Sequence, residues 1–136
     1  MMKNSNAKKK IVIVEDELPM QKALYETFTR NGFNALCASD GKSGLSLILE
    51  NKPDMIILDL LMPIMDGKAV LKELRADAWG KNAPVLILTN LSLDGTELVK
   101  TMVETSPEYY LIKSDWTLGE IVKKAQEIIS RHEKRN

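Results

Sequence analysis

Five short apolar runs punctuate this chain, and hydrophobic residues at helical spacing follow each of them. The first run is Ile11 to Val14. Behind it, Pro19 is well placed to open a helix in which Met20, Leu24 and Phe28 recur at i, i+4 and i+8, until Gly32 stops the pattern. A second run spans Asn34 to Ala38. Asp40 is placed to cap the next helix, whose Leu45, Ile48 and Leu49 face inward before Pro53 ends it. The third run, Met55 to Asp59, is apolar until its last residue. Beyond Pro63 and the Asp66-Gly67 turn, Val70, Leu71 and Leu74 predict a third buried stripe. Val85 to Thr89 is the fourth run. Asp94, with Glu97 three residues on, predicts a cap for a helix through Leu98, Val99, Met102 and Val103. The fifth run, Tyr109 to Ile112, ends at Lys113. Thr117 and Glu120 then have the spacing of a capping box, and Trp116 and Ile121 that of a hydrophobic staple. Ile121, Val122, Ala125, Ile128 and Ile129 mark the inner face of that last helix.

Strands that are apolar on both faces belong in a parallel sheet covered by helices on each side, with right-handed crossovers. Five such units predict an α/β fold with a five-stranded parallel sheet between helices; by analogy with other chains of this size, a flavodoxin-like three-layer sandwich in the order 2-1-3-4-5 is expected. The expected boundaries are a disordered basic tail over 1–9, the folded domain over 10–130 and a polar tail over 131–136.

Composition narrows the class. The chain has 136 residues, 44% hydrophobic and 28% charged, enough for one domain with a real core and too few for two. No apolar run approaches the ~20 residues of a membrane span. A single cysteine, Cys37, can form no internal disulfide and reads as a small core residue on the second strand. With no apolar signal segment after the N-terminal lysines, the cytoplasm is the expected compartment. The net charge is zero but unevenly placed. Residues 1–10 hold four lysines and residues 131–136 hold three basic groups against Glu133, which leaves −6 on residues 11–130. An acidic body argues against nucleic-acid binding, which needs a clustered basic face. His132 lies in the charged C-terminal stretch with no ligand-spaced partner, so it reads as solvated, and Trp79 has no assignable role.

The polar residues collect at one end of the sheet. In an open parallel sheet the ligand site lies beyond the carboxyl ends of the strands, where the winding reverses. Strand one runs into Glu15, Asp16 and Glu17, strand three ends on Asp59, strand four on Thr89 and strand five on Lys113. Each has an ordinary alternative as a helix cap, a strand end or a surface lysine, but their coincidence at one edge is harder to explain that way. Carboxylates ~4 Å apart repel by about 4 kcal/mol at an effective dielectric near 20, so a cluster of acids raises their pKa values or recruits cations. Oxygen donors without clustered His or Cys select a hard divalent ion, and an open, water-accessible site suits Mg²⁺. Beside a lysine and a hydroxyl, such an ion makes a place for a phosphoryl group. The expected product is an aspartyl phosphate on Asp59, with Asp16 as a metal ligand, Glu15 as a direct or water-mediated one, Lys113 as a point charge and Thr89 as a donor.

The strings IVIVEDE, MIILDLLMPIMDG, VLILT and YYLIK, in that order and spacing, resemble the response-regulator receiver domain, the acceptor module of two-component signalling, over residues 10 to 130. The resemblance implies the CheY-like version of the sandwich. It implies Asp59 as phosphoacceptor, Glu15 and Asp16 as the acidic Mg²⁺ pair, and the Leu61 carbonyl as a further ligand. It also implies Thr89 as the switch hydroxyl, Lys113 as the phosphate-binding lysine and Tyr110 as the aromatic that turns inward; without the resemblance, Tyr110 reads as a half-buried strand residue. The implied partners are a histidine kinase or histidine phosphotransfer protein, and a downstream target or second copy on the face of the helix after Asp94, strand five and the last helix. Neither nucleic acid nor membrane is implied. The expected activity is a stand-alone signalling switch acting only on its own phosphorylation, not a turnover enzyme.

The chain departs from the family pattern in three places. Receivers commonly carry a cis-linked proline after the lysine, but Ser114 follows here. A cis bond to serine costs ~3–4 kcal/mol, so a trans bond with a reshaped loop, or a strained one, is expected. Asn90 stands after Thr89 where a small residue is usual. Leu61 and Leu91 stand where polar side chains in some relatives orient the attacking water, which predicts slow hydrolysis of the phosphoryl group. Three other readings stay open. A degenerate receiver would bind partners without phosphorylation. A haloacid-dehalogenase-type phosphatase would carry its nucleophile after strand one in a D-x-D pattern, where this chain has Glu-Asp-Glu. A flavin binder would carry a Ser/Thr/Gly-rich phosphate loop where this chain has EDELP.

Overall fold

The computed structural model describes residues 8–90, 100 and 109–135. Its strands are β1 (Lys10–Val14), β2 (Asn34–Ala38), β3 (Met55–Leu58), β4 (Val85–Thr89) and β5 (Tyr109–Ile112). Its described helices are α1 (Leu18–Arg30), α2 (Gly41–Asn51), α3 (Gly67–Ala76) and α4 (Leu118–Arg135). All strand pairs are parallel and the order is β2-β1-β3-β4-β5. This is the expected doubly wound sandwich. The helix expected after Asp94 and Leu91 both fall outside the described residues.

Alternation along the strands divides the core in two. Ile11, Ile13, Met55, Ile57, Leu86, Leu88 and Leu111 point to one face, where Leu24 and Phe28 of α1 and Ile121, Val122, Ala125, Ile128 and Ile129 of α4 cover them. Val12, Val14, Ile56, Leu58, Val85 and Ile87 point to the other, under Ile48 of α2 and Val70, Leu71 and Leu74 of α3. The central strands β1, β3 and β4 are therefore shielded from water on both sides, while the edge strands β2 and β5 are only partly covered. That arrangement leaves polar side chains no place except the strand ends.

The caps expected at Asp40 and Thr117 form, and Asp66, expected only as a turn residue, caps a third helix. Asp40 accepts from the Ser43 amide at 2.8 Å and Asp66 from the Ala69 amide at 2.9 Å. The Thr117–Glu120 box closes reciprocally at 2.8 and 3.1 Å, with Trp116 packed on the core that holds Ile121. Gly32 takes a φ of +89°, a conformation open to glycine and costly to most side chains.

Both expected tails need correction. The last helix does not stop at 130 but runs to Arg135. No glycine or proline interrupts residues 131–135, and basic residues in a last turn complement the negative end of the helix dipole. Nor is Lys9 a tail residue. Its carbonyl accepts from the Asn34 amide at 2.8 Å, and its ammonium pairs with Glu133. His132 is half-buried rather than solvated. With Trp79, Lys52, Asp54 and Pro84 it lines a cleft of about 500 Å³ at the amino ends of the strands, opposite the acidic cluster. Trp79 packs against the α2–α3 core.

Candidate functional site

Strand register brings the acidic segments together. Val14 pairs with Leu58, so the residues that follow each strand leave the sheet side by side, and the Asp59 amide donates to the Val14 carbonyl at 3.1 Å. On the other side of β1, the Glu15 amide donates to the Ala38 carbonyl at 3.0 Å. Carboxylate oxygens of Glu15, Asp16 and Asp59 lie within 4.8 Å of one another. Glu15 and Asp59 are buried at 1% and 5% exposure, whereas Asp16 is half-exposed.

Lys113 reaches into this cluster from the end of β5. Its ammonium lies 2.7 Å from Glu15 Oε1, 3.0 Å from Glu17 Oε1 and 3.1 Å from Asp59 Oδ2. The loop that carries it answers the question posed by Ser114. Among the described residues no peptide bond is cis, and Lys113–Asp115 form a single 3₁₀ turn. Lys113 thus reaches Asp59 without the family's proline.

The charges are unequal. Burial pushes the Glu15 carboxyl above its ordinary range, although Lys113 and the Glu17 amide pull the other way. The Lys113 ammonium is held in its charged form, with a pKa above the usual lysine value, because hydrogen bonds to the three carboxylates outweigh the burial that opposes them. Four carboxylates nevertheless face one ammonium once Asp16 is included. That excess of negative charge at a water-accessible edge, made only of oxygen donors, fits a hard divalent cation such as Mg²⁺.

The second Asp59 oxygen, Oδ1, accepts from the Leu61 amide at 3.2 Å. What the structure places on Asp59 from Leu61 is therefore this amide; the leucine side chain is 55% exposed beside it. Gly67 packs against the same stretch so closely that an added Cβ would lie 2.3 Å from the Asp59 carbonyl oxygen. Thr89 is fully buried at the end of β4, and Thr89 pairs with Ile112, one residue before Lys113. Tyr110 is half-buried against the α2–α3 core, and its pKa is raised first by burial and then by the charge of Asp59. Asn90 is exposed.

Three contributors carry no distinct mark in the sequence. Glu17 is one of three consecutive acids, yet it shares the Lys113 ammonium. Gln21 ties the segment down, its amide donating to the Glu15 and Ala38 carbonyls and to Ser39 Oγ at 2.8, 3.3 and 3.0 Å. Gly67 has the sequence context of a turn residue, yet it packs under the Asp59 main chain. A signal existed for Glu17 alone: an ammonium has three protons, and three acids precede α1.

The family model described as the response regulator receiver domain matches residues 11–126. Among curated proteins, the chain is similar to the "Probable transcriptional regulator ycf27" of Guillardia theta, 35% identical over 106 residues, which is 78% of this chain and 40% of that protein. The chain spans well under half the length of the curated relatives it matches. Among solved structures it is similar to the receiver domain of Francisella response regulator 1452, with 30% identity, a TM-score of 0.79 and coverage of 91% of this chain and 98% of that one. The receiver domain of the Pseudomonas aeruginosa sensor histidine kinase PA1611, which has a magnesium ion coordinated in its active-site cleft, shares the fold. The TM-score is 0.80 at 24% identity, over 91% and 99% of the two chains.

Proposed function

Because the chain belongs to the response regulator receiver domain family, we propose that it is a phosphorylation-controlled interaction switch whose acceptor is Asp59. The observation that carries this reading is the placement of the Lys113 ammonium 3.1 Å from Asp59 Oδ2, inside a cluster of further acids that includes Glu15 and Asp16. A buried carboxylate with one oxygen on an ammonium and the other on a backbone amide is fixed in orientation, as in-line attack requires.

The donor is a phosphohistidine on a histidine kinase or phosphotransfer protein. An Asp59 oxygen attacks phosphorus as the P–N bond breaks; the imidazole leaves with the bonding pair and takes a proton from water, and an aspartyl phosphate remains. Glu15, Asp16 and Asp59 would hold Mg²⁺, with the Leu61 carbonyl as a further ligand. When bound, the ion offsets charge on the phosphoryl oxygens. Lys113 supplies a fixed positive charge to those oxygens and Thr89 a hydroxyl donor. Because Lys113 keeps its place without a proline, the geometry favours this reading over a receiver that binds partners unphosphorylated.

Output is a population shift in which the phosphoryl group favours the state with Thr89 drawn toward it and Tyr110 buried. Taking such an equilibrium from 1:99 to 99:1 requires about 5.5 kcal/mol of differential binding. The responding face comprises the segment after Asp94, β5 and α4, and it meets a downstream protein or a second copy. Leucine at positions 61 and 91 leaves no polar side chain there to orient water, so the acyl phosphate outlives the seconds timescale.

Intact mass after incubation with acetyl phosphate and Mg²⁺ tests the reading. The native chain gains one phosphoryl group and Asp59→Asn gains none; no gain in either supports the unphosphorylated alternative.

A further inference from the structure

Three carboxylates hold Lys113, and the acceptor chemistry uses only two of them. The third, Glu17, stands at the N-cap of α1, where Ser, Thr, Asp or Asn would accept from an amide of the first turn. Its carboxylate makes no such bond. It turns instead to Lys113, 96 residues further along the chain, at 3.0 Å. Its amide is also committed, donating to Glu15 Oε2 at 3.0 Å. Position 17 thus forgoes a helix cap and ties both main chain and side chain into the site.

The reason lies in the loop after β5. Lys113 begins a short 3₁₀ turn with Ser114 next and no cis bond, so its ammonium is placed by the contacts it makes. Two of those contacts, Glu15 and Asp59, are the groups a divalent ion and a phosphoryl group would engage. Glu17 is not a member of the converging metal-type cluster, and its side chain is 61% exposed, so its carboxylate stays available when the others are drawn away. We propose that Glu17 is a positioning residue that keeps the Lys113 ammonium beside Asp59 while Glu15 and Asp59 engage cation and phosphoryl group.

This inference rests on the receiver reading and differs from a simple charge effect. If Glu17 acted only as one more negative charge, its removal would help an anionic phosphodonor approach and would speed the reaction. As a tether, its removal lowers the limiting rate without raising the half-saturating donor concentration.

The test compares the full chain with Glu17→Gln, Glu17→Ala and Asp59→Asn. Phosphorylation by acetyl phosphate with Mg²⁺ is followed by intact mass over a range of donor concentrations. The ¹⁵N–¹H signal of the Lys113 ammonium, identified by its loss in Lys113→Met, is recorded with Mg²⁺ and no donor. Both Glu17 variants should reach the native end point at a limiting rate roughly two- to fivefold lower, the range one partly exposed ion pair supports. Their Lys113 signal should weaken through faster exchange with water. Limiting rates equal to or above native overturn the proposal, as does an unchanged Lys113 signal whatever the rates. A native chain that gains no phosphoryl group would sink the receiver reading instead, and the Lys113 signal would still decide whether Glu17 holds the ammonium.

Discussion

The Lys113 ammonium has three protons and meets three carboxylate oxygens, from Glu15, Glu17 and Asp59, so Lys113→Met leaves buried carboxylates facing one another. Removing one partner of a buried ion pair costs about 3–5 kcal/mol, and urea unfolding of the variant at neutral pH should show a loss near the lower figure, because Asp16 keeps the cluster in touch with water. The pH dependence follows from the shifts. A lysine raised above its ordinary value stabilises fully below pH 10.5, and that contribution fades as pH climbs through its folded value. A carboxyl raised by burial, as Glu15 is, favours folding while protonated and loses that advantage as pH rises through its folded value. In the variant, only the Glu17 amide is left to offset the Glu15 charge, so acidification from pH 7 toward 5 should recover part of the lost stability. A pH-independent loss would contradict this. The convergence of Asp59, Glu15, Asp16 and Lys113 was legible in the sequence, since each follows a strand whose end lies at the same edge. The Glu17 contact was not, because it depends on how far a flexible side chain reaches across to a residue on the far side of the sheet.

At the scale of elements, the segment between β3 and α3 ties Asp59 to the helix that follows. A Cβ at Gly67 would lie 2.3 Å from the Asp59 carbonyl oxygen and 2.7 Å from the Leu60 Cα, both main-chain atoms that move only with the loop. Gly67→Ala should cost about 1–3 kcal/mol in urea unfolding, in the range of overpacked sites, and should slow phosphorylation of Asp59 by acetyl phosphate. Native stability with a native rate would show that the loop yields freely. Strand and helix positions are readable because apolar runs and 3.6-residue periodicity signal burial directly, and Asp40 and Thr117 cap where their spacing predicts. The end of α4 is not legible in the sequence, because a run of charged residues resembles a solvated tail. Such residues are also good helix formers, and only the Lys9–Glu133 pair shows that the last turn meets the start of β1. The loop after β5 was the other uncertain element. Its 3₁₀ turn accommodates Ser114 by a route that the composition of the segment does not specify.

For the whole molecule, the two-sided core fixes the sheet, and the sheet edge gathers negative charge that a bound cation would relieve. A ligand that binds only the folded state stabilises it by RT ln(1 + [L]/Kd), about 1.4 kcal/mol at tenfold Kd. Millimolar Mg²⁺ against EDTA should therefore raise the melting temperature of the native chain, and Asp16→Asn should lose most of that rise. An equal rise in both would place the ion elsewhere. In the proposed switch the same arrangement would let a modified Asp59 act on a distant face: Asp59, Thr89 and Tyr110 lie on or just beyond three adjacent strands, β3, β4 and β5, so a displacement of one strand end would bear on the next. The most direct test of the central claim is chemical. Acetyl phosphate and Mg²⁺ are added, the product is reduced with borohydride, which converts an aspartyl phosphate to homoserine, and the position is read by peptide mass spectrometry. The account predicts homoserine at position 59 and nowhere else. Homoserine at another carboxylate, or a phosphoryl gain that leaves position 59 as aspartate, would contradict it.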